Sequence, residues 1–262
     1  MFSIISVYKD KKVLENWLLK GLRNQTVNYE LILIDNTKGQ FKSGAEALNY
    51  GASKTKSQSK YIIFVDQDIR LLSNTWLEKA ERILDSISNL GIAGVAGARE
   101  SKNGERETVT NIKHGIPPKN LRNCVFIKKP EKIQTLDECL IIIPRSVFKN
   151  LKFNTKTCDS WHFWAVDYCL AVKKLGFDSY VIPLPLHHKS AGIISNNYLK
   201  TILSLGPLPG NYFQALKKIL KKYKNSYQKI YTTCGEWDTS QPVFFQRLIY
   251  FFKTGIRFLL RK

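Results

Sequence analysis

The sequence predicts an α/β fold: a Rossmann-like, mostly parallel sheet flanked by helices, followed by a basic amphipathic helical region at the C-terminal end. Three observations predict it. Over the first hundred residues, short apolar runs alternate with segments of helical spacing, the β-α-β order of a right-handed parallel sheet. The strand candidates are unbroken apolar runs, as in sheets buried on both faces, and they end on polar or acidic residues. From Lys200 onward twelve Lys or Arg stand against two acids, a surplus of ten that is half of the formal charge of +20.

Phe2 to Val7 is the first strand, with Ser6 and Tyr8 at its end. Apolar residues at 13, 14, 17, 18 and 22 then recur at helical spacing. Leu31 to Ile34 is a second buried strand that ends on Asp35, and 44–52 is a small-residue helix closing near Gly51. Tyr61 to Val65 is the third strand, and Asp66-Gln67-Asp68 follows where it ends. Thr75 to Ile87 has the pattern of an amphipathic helix, and Ile92 to Ala98 that of a small-residue strand. The polar, proline-terminated stretch Arg99 to Lys119 reads as a mobile loop that orders over a ligand. Asp137 and Glu138 precede a strand ending at Pro144, with a short helix after it. Val181 to Leu186 is expected to be an edge strand, because it carries two prolines.

Length and composition narrow the function. At 262 residues with 44% hydrophobic content the chain can bury a full core. The charge of +20 calls for an anionic partner: nucleic acid, an anionic membrane surface or a phosphorylated substrate. Nucleic acid is set aside, since acids clustered at strand ends repel phosphate unless a metal intervenes. Five cysteines without a C-x-x-C pair read as reduced thiols in a cytoplasmic protein. No signal peptide and no spanning helix are expected. Neither G-x-G-x-x-G nor a P-loop is present, which argues against a dinucleotide site and a P-loop nucleotidase.

The Asp66-Gln67-Asp68 triplet carries the most chemistry. One intervening residue lets both carboxylates reach one point at the C-terminal sheet edge, where open α/β folds bind ligands. Such a pair suits Mg²⁺ or Mn²⁺ shared with substrate phosphates, although a solvated turn would read the same. Asp35 is placed to accept hydrogen bonds from a ribose or base; the plain alternative is a turn cap.

Together, Phe2 to Tyr8, the strand ending in Asp35, Ala47-Leu48-Asn49-Tyr50-Gly51 and Phe64-Val65-Asp66-Gln67-Asp68-Ile69 resemble the nucleotide-sugar half of a family 2 glycosyltransferase with the GT-A fold. The likeness is to the membrane-associated kind that builds bacterial polysaccharides. It covers roughly residues 1–195, and implies a catalytic domain over 1–199, with a donor half about 1–98 and an acceptor half about 120–199. The region 200–262 remains as the basic helical tail. The resemblance implies that the Asp-x-Asp acids coordinate the ion bridging the donor diphosphate, and that Asp35 holds the base or ribose. It also implies transfer with inversion from a UDP- or dTDP-sugar to a glycan or lipid-linked glycan. Ser6, Tyr8, Asp35, Asn49 and Asp66 are the candidate donor-binding residues on this edge, with Lys189 adding positive charge beside the departing diphosphate. A histidine in the region of His187 and His188 is implied at the metal or diphosphate, and adjacent residues of an extended strand cannot both face it.

The family's Glu-Asp-x-Asp helix is represented only by Asp167, because Trp164 and Ala165 stand where the Glu-Asp pair belongs. The missing pair makes a catalytically weak sugar-binding or scaffold protein the alternative to an enzyme, because deprotonating an acceptor hydroxyl still needs a base. Asp167 is the first candidate, with His162 and Glu138 as rivals; a helix salt bridge to Lys173 or Lys174 is the structural alternative for Asp167. Trp161, Phe163 and Trp164 form a sugar-stacking wall beside it. In the tail, 213–223 and 243–262 set Lys and Arg along helices rich in aromatic and aliphatic residues, a pattern suited to an anionic membrane surface. The location expected is the inner face of the cell membrane, held peripherally; a solvated basic face on a packed helix is the other reading.

Overall fold

The computed structural model describes residues 1–56, 58–190 and 208–259, with side chains as far as Lys253. The expected boundary at 199/200, Lys200, Arg261 and Lys262 lie outside the described residues, as does the side chain of Arg257. The strands are β1 (Phe2–Tyr8), β2 (Tyr29–Asp35), β3 (Tyr61–Val65), β4 (Ile69–Leu71), β5 (Leu90–Gly94), β6 (Ala96–Glu100), β7 (Arg106–Thr110) and β8 (Ile112–His114). They continue with β9 (Lys119–Asn120), β10 (Glu131–Ile133), β11 (Thr135–Leu136), β12 (Leu140–Pro144), β13 (Asp178–Val181), β14 (Leu186–His188), β15 (Lys229–Tyr231) and β16 (Glu236–Asp238). Helix α1 covers 11–22 and contains a π-helical stretch, Glu15–Leu19. It is followed by α2 (Gly44–Ser53), α3 (Trp76–Asp85), α4 (Arg145–Asn150), α5 (Trp164–Lys174), α6 (Gly210–Tyr223) and α7 (Val243–Leu259).

The central sheet has the order β10-β13-β5-β12-β3-β1-β2. β2, β1 and β3 are parallel neighbours, as are β5 and β13, whereas β12 runs against both β3 and β5, and β10 against β13. The sheet is therefore mixed but mostly parallel; β12, entered from the acidic 137–138 segment, and the edge strand β10 are the two that depart from the parallel expectation.

Side-chain alternation explains why β3 and β12 are continuous apolar runs. Ile62 and Phe64 of β3 and Ile141 and Ile143 of β12 pack on one face, with α2, α4, α5 and α6. Tyr61, Ile63 and Val65, with Leu140 and Ile142, pack on the other, against α1 and α3. Both faces are covered, so neither parity can be polar. Truncating fully buried Phe64 to Ala would cost about 3–5 kcal/mol.

Four local expectations change. The stretch from Arg99 to Lys119 is largely strand: Ala96↔Thr110 through Glu100↔Arg106 pair as a hairpin, turning at Gly104 with φ +77°. The Asn103-Gly104 turn and the Thr108-Val109-Thr110 run were its signals. The stretch Ile92 to Ala98 is two strands in two sheets, β5 and β6. Val181 to Leu186 is likewise split into β13 and β14 around Pro183 and Pro185, which cannot donate to a ladder. Helix α6 settles on the protein rather than leaving its apolar side open: Phe213, Leu216, Ile219, Leu220 and Tyr223 are buried in the same core as α5, with Lys217, Lys218 and Lys221 outward and Lys222 turned to Asp167 of α5.

Candidate functional site

The site forms where β1, β2 and β3 end together. Asp66 begins the turn after β3, its amide bonded to the Cys139 carbonyl at 2.9 Å, so the turn leading into β12 fixes where the first acid leaves the sheet. The Gln67 side chain turns aside: its Oε1 accepts from the Lys9 and Asp10 amides at 2.9 and 3.0 Å, tying the loop after β1 to the acidic turn. Asp68 is held by its carbonyl, which accepts from the Lys189 amide at 3.0 Å.

The small sheet β4-β14-β8-β9 brings the imidazole. β14 pairs His188 with Ile69 of β4, the residue after Asp68, and with His114 of β8. His188 Nε2 lies 3.3 Å from Asp68 Oδ1, and Ser190 Oγ is 3.0 Å from the same nitrogen. Asp66, Asp68 and His188 each offer a ligand atom within 4.8 Å of the other two. His187, one residue earlier, faces the other way: its Nε2 donates to the Gly115 carbonyl at 2.7 Å and its ring meets Trp17 edge-on at 4.7 Å. Strand alternation thus assigns His188 to the acidic group and His187 to packing.

Electrostatics at this group favour a cation. Burial opposes ionisation of both His188 and Asp68, but their mutual hydrogen bond and charges win, raising His188 and lowering Asp68. Asp66 opens into a recess whose walls withdraw water, and this pushes it up to about 7, although His188 pulls the other way. Two carboxylates and one imidazole fit Mn²⁺ well; Mg²⁺ favours a purely oxygen shell. A divalent ion here would take the place of the proton shared by His188 and Asp68.

Beside the group lies a recess of about 230 Å³ lined by Val7, Gly44, Leu48, Val65, Asp66, Glu138, Trp161 and Trp164. Gly44 gives it width, since a Cβ there would sit 2.8 Å from the Trp164 ring. Lys9 Nζ stands 4.8 Å over the Trp161 ring. Glu138 reaches the start of α5, where its Oε1 accepts from the Ala165 amide at 3.4 Å. Phe163, just before α5, has left-handed backbone, φ 70°, which costs an L-residue about 1–2 kcal/mol. Desolvation and the neighbouring Asp137 raise Glu138 well above the ordinary carboxylate range, against the Ala165 and Trp164 amides. It is a carboxylate poised to hold a proton at the wall of a tryptophan-lined recess.

The remaining candidates are placed as follows. Tyr8 and Asp35 are register partners of β1 and β2 and hydrogen-bond to each other. Asp35 is exposed at the edge, held low chiefly by the Thr37 amide, at 2.8 Å from its Oδ1. Ser6 is fully buried, with no partner for its Oγ among the described residues. Asn49 is occupied as a clip, its Nδ2 donating to the Phe153 carbonyl at 2.9 Å and its Oδ1 accepting from the Phe153 amide at 3.2 Å. His162 is half-buried against Tyr212, and burial lowers it. Asp167 is not brought to the recess: it is buried at α5, where Lys222 Nζ of α6 donates to both its oxygens at 2.6 and 2.9 Å. Desolvation raises it despite that pairing. Of the expected aromatic wall, Trp161 and Trp164 line the recess, whereas Phe163 is buried in the core and does not. Gln67 and Gly44 join the site unforeseen, with no signal beyond their place beside the acidic and small-residue motifs.

Comparison with known proteins bears on the family and the fold. Residues 4–201 match the family model described as "Glycosyltransferase like family". No curated protein matches the chain. Among solved structures, the chain is similar to the mannosyltransferase PcManGT from Pyrobaculum calidifontis in complex with GDP-Man and Mn²⁺, with TM-score 0.56, 12% identity, and coverage of 95% of this chain and 68% of that one. It is also similar to GalNAc-T7 with UDP, GalNAc and Mn²⁺, with TM-score 0.53, 14% identity and 73% of this chain covered; there it spans 44% of the longer protein's length. At these identities the likeness is one of fold: a mostly parallel α/β sheet flanked by helices, similar to GT-A glycosyltransferases.

Proposed function

Because the chain belongs to the glycosyltransferase-like family, we propose that it moves a sugar from a nucleoside diphosphate to a hydroxyl of a glycan or lipid-linked glycan, with inversion. The observation that carries this reading is the convergence of the Asp66, Asp68 and His188 ligands with the Glu138 recess at one sheet edge. Asp35, with Tyr8 behind it, accepts from the ribose or base, and the sugar stacks against Trp161 and Trp164. Mn²⁺ or Mg²⁺ held by Asp66, Asp68 and His188 would neutralise charge on the donor diphosphate. Glu138 takes the proton of the acceptor hydroxyl as its oxygen bonds to the anomeric carbon; the carbon–oxygen bond to the diphosphate breaks, and the nucleoside diphosphate leaves. Lys189, whose amide already holds Asp68, adds positive charge on that side. Choosing Glu138 over Asp167 and His162 follows from access: it alone of the three lines the recess.

The test is a screen of UDP-, GDP- and dTDP-sugars for Mn²⁺-dependent donor hydrolysis and for thermal stabilisation. A donor bound at a hundred times its Kd adds about 2.7 kcal/mol. Absence of both signals with every donor would overturn the enzyme reading.

The lipid-linked acceptor has its own support. On α7, Phe244, Phe245, Ile249 and Phe252 are 54–62% exposed on neighbouring turns, beside the exposed Lys253. No helix among the described residues is long and apolar enough to cross a membrane. An apolar face with this excess of cations suits the surface of an anionic bilayer. Replacing the four residues with Ser should abolish flotation with anionic vesicles; equal flotation of both proteins would remove the membrane from the proposal.

A further inference from the structure

A second cavity, of about 300 Å³, has no part in the donor chemistry above. Its walls come from β7, β8, the segment 121–124, Asp137 and Thr233, and they are mainly polar. Two guanidinium groups dominate it. Arg106 is pinned by one nitrogen, Nη1, which donates to the Thr233 carbonyl at 2.8 Å, the Thr232 carbonyl at 3.2 Å and Thr108 Oγ1 at 2.9 Å. Its Nε and Nη2 have no hydrogen-bond partner among the described residues, and neither has the exposed side chain of Arg122. On the other side stands one acid: Asp137 accepts from Thr233 Oγ1 at 2.7 Å and from the Cys139 amide at 3.2 Å.

The cavity adjoins the site already described at two points. His114, in its wall, lies 5.3 Å from the His188 ring, and its Nδ1 is buried without a partner among the described residues. Asp137 precedes Glu138, which lines the donor recess, so consecutive residues of one turn face the two cavities.

Resting on the transferase reading, we propose that this cavity is the acceptor subsite, and that the acceptor it takes is a sugar bearing an anionic group, a carboxylate or a phosphate. A guanidinium presents a planar fork of N–H donors that matches two oxygens of either anion. A neutral sugar would leave both forks facing only water. Asp137 repels the anion and accepts sugar hydroxyls instead, so the ligand is oriented: charge toward Arg106 and Arg122, hydroxyls toward Asp137 and the shared wall with Glu138.

The experiment is isothermal titration of the 262-residue chain with glucuronate, glucose 6-phosphate and glucose, alone and with Mn²⁺ plus UDP or GDP. The two anionic arms distinguish carboxylate from phosphate. At least one is expected to bind about tenfold or more tightly than glucose, and Arg122→Ala should reduce the difference to about threefold or less, with nucleotide binding unchanged. Arg122 has no structural partner to lose, so folding of that variant is expected to be intact, and Arg122→Lys should restore part of the affinity. Glucose binding as tightly as both anions, or no binding of either anion, overturns the proposal. So does a variant that loses nucleotide affinity while keeping its sugar affinity, which would give Arg122 to the donor. Loss of nucleotide binding in the unsubstituted protein instead counts against the transferase reading, and the titrations without nucleotide still decide the subsite.

Discussion

Two acids compete for the role of base, and the structure gives opposite expectations for removing each. Glu138→Gln keeps the shape of the recess and the acceptor for the Ala165 amide but cannot take a proton. General-base catalysis contributes about 10²–10⁴ in rate, so kcat should fall by that factor, about 3–5 kcal/mol of barrier, with donor KM little changed. Asp167→Asn should instead cost stability. Its side chain is 3% exposed and Lys222, its partner, 31%. Stranding one member of a buried pair costs about 3–5 kcal/mol, but a lysine with a third of its side chain in water can turn outward, so about 2 kcal/mol is expected. At about 2–4 °C per kcal/mol for a chain of this size, Tm falls by about 4–8 °C. Lys222→Met should cost more, because it leaves the buried carboxylate with no cation. Single-turnover transfer at 20 °C and thermal melts on the same three variants give both quantities. Normal transfer by Glu138→Gln, or an inactive Asp167→Asn whose melting temperature is unchanged, would refute the assignment.

Further expectations concern protons and loop order. Glu138 is raised in the folded protein, so kcat/KM should climb with pH as the carboxylate forms, and Glu138→Gln should flatten that limb of the profile. The same shift stabilises the fold below the ordinary carboxylate pKa and is lost as pH rises through the folded value; melts should therefore show Glu138→Gln gaining on the unsubstituted protein at pH 8 and not at pH 4. Because Asp66 sits at about 7 and His188 is raised, Mn²⁺ binding should expel protons and tighten from pH 6 to 8. Calorimetry in buffers of different ionisation enthalpy reads this, and an enthalpy independent of buffer would contradict it. Gln67→Ala frees the Lys9 and Asp10 amides, both near solvent, so Tm should drop by less than about 4 °C while donor KM rises about tenfold through loss of loop position. An unchanged KM would mean that the loop holds itself.

What was legible in the sequence was local. The β3 run and its two acids could be read because a strand covered on both faces has no polar parity, and because one intervening residue fixes the spacing of the pair. The hairpin over 96–110 was also local, carried by Asn103-Gly104, yet the surrounding charges, Lys102, Glu105, Arg106 and Glu107, masked it as a loop. What stayed hidden depends on partners distant in the chain. Alternation requires that His187 and His188 face opposite ways, but only the register of β14 on β4 and β8 says which one meets Asp68.

The base is the sharpest case. Asp167 has the spacing and the helix that the family resemblance asks of it, and the position of α5 is as expected. Lys222, on a helix that begins more than forty residues later, closes on both of its oxygens and withdraws it from solvent. Meanwhile Glu138, 27 residues before Ala165, extends to the amides at the start of α5, next to where a Glu-Asp pair on the helix would stand. A carboxylate supplied from the adjoining turn can serve the same reacting hydroxyl, because the chemistry constrains where the oxygen sits and not which segment carries it. Motif spacing therefore identifies the helix, whereas the tertiary partner decides which acid remains free to accept a proton.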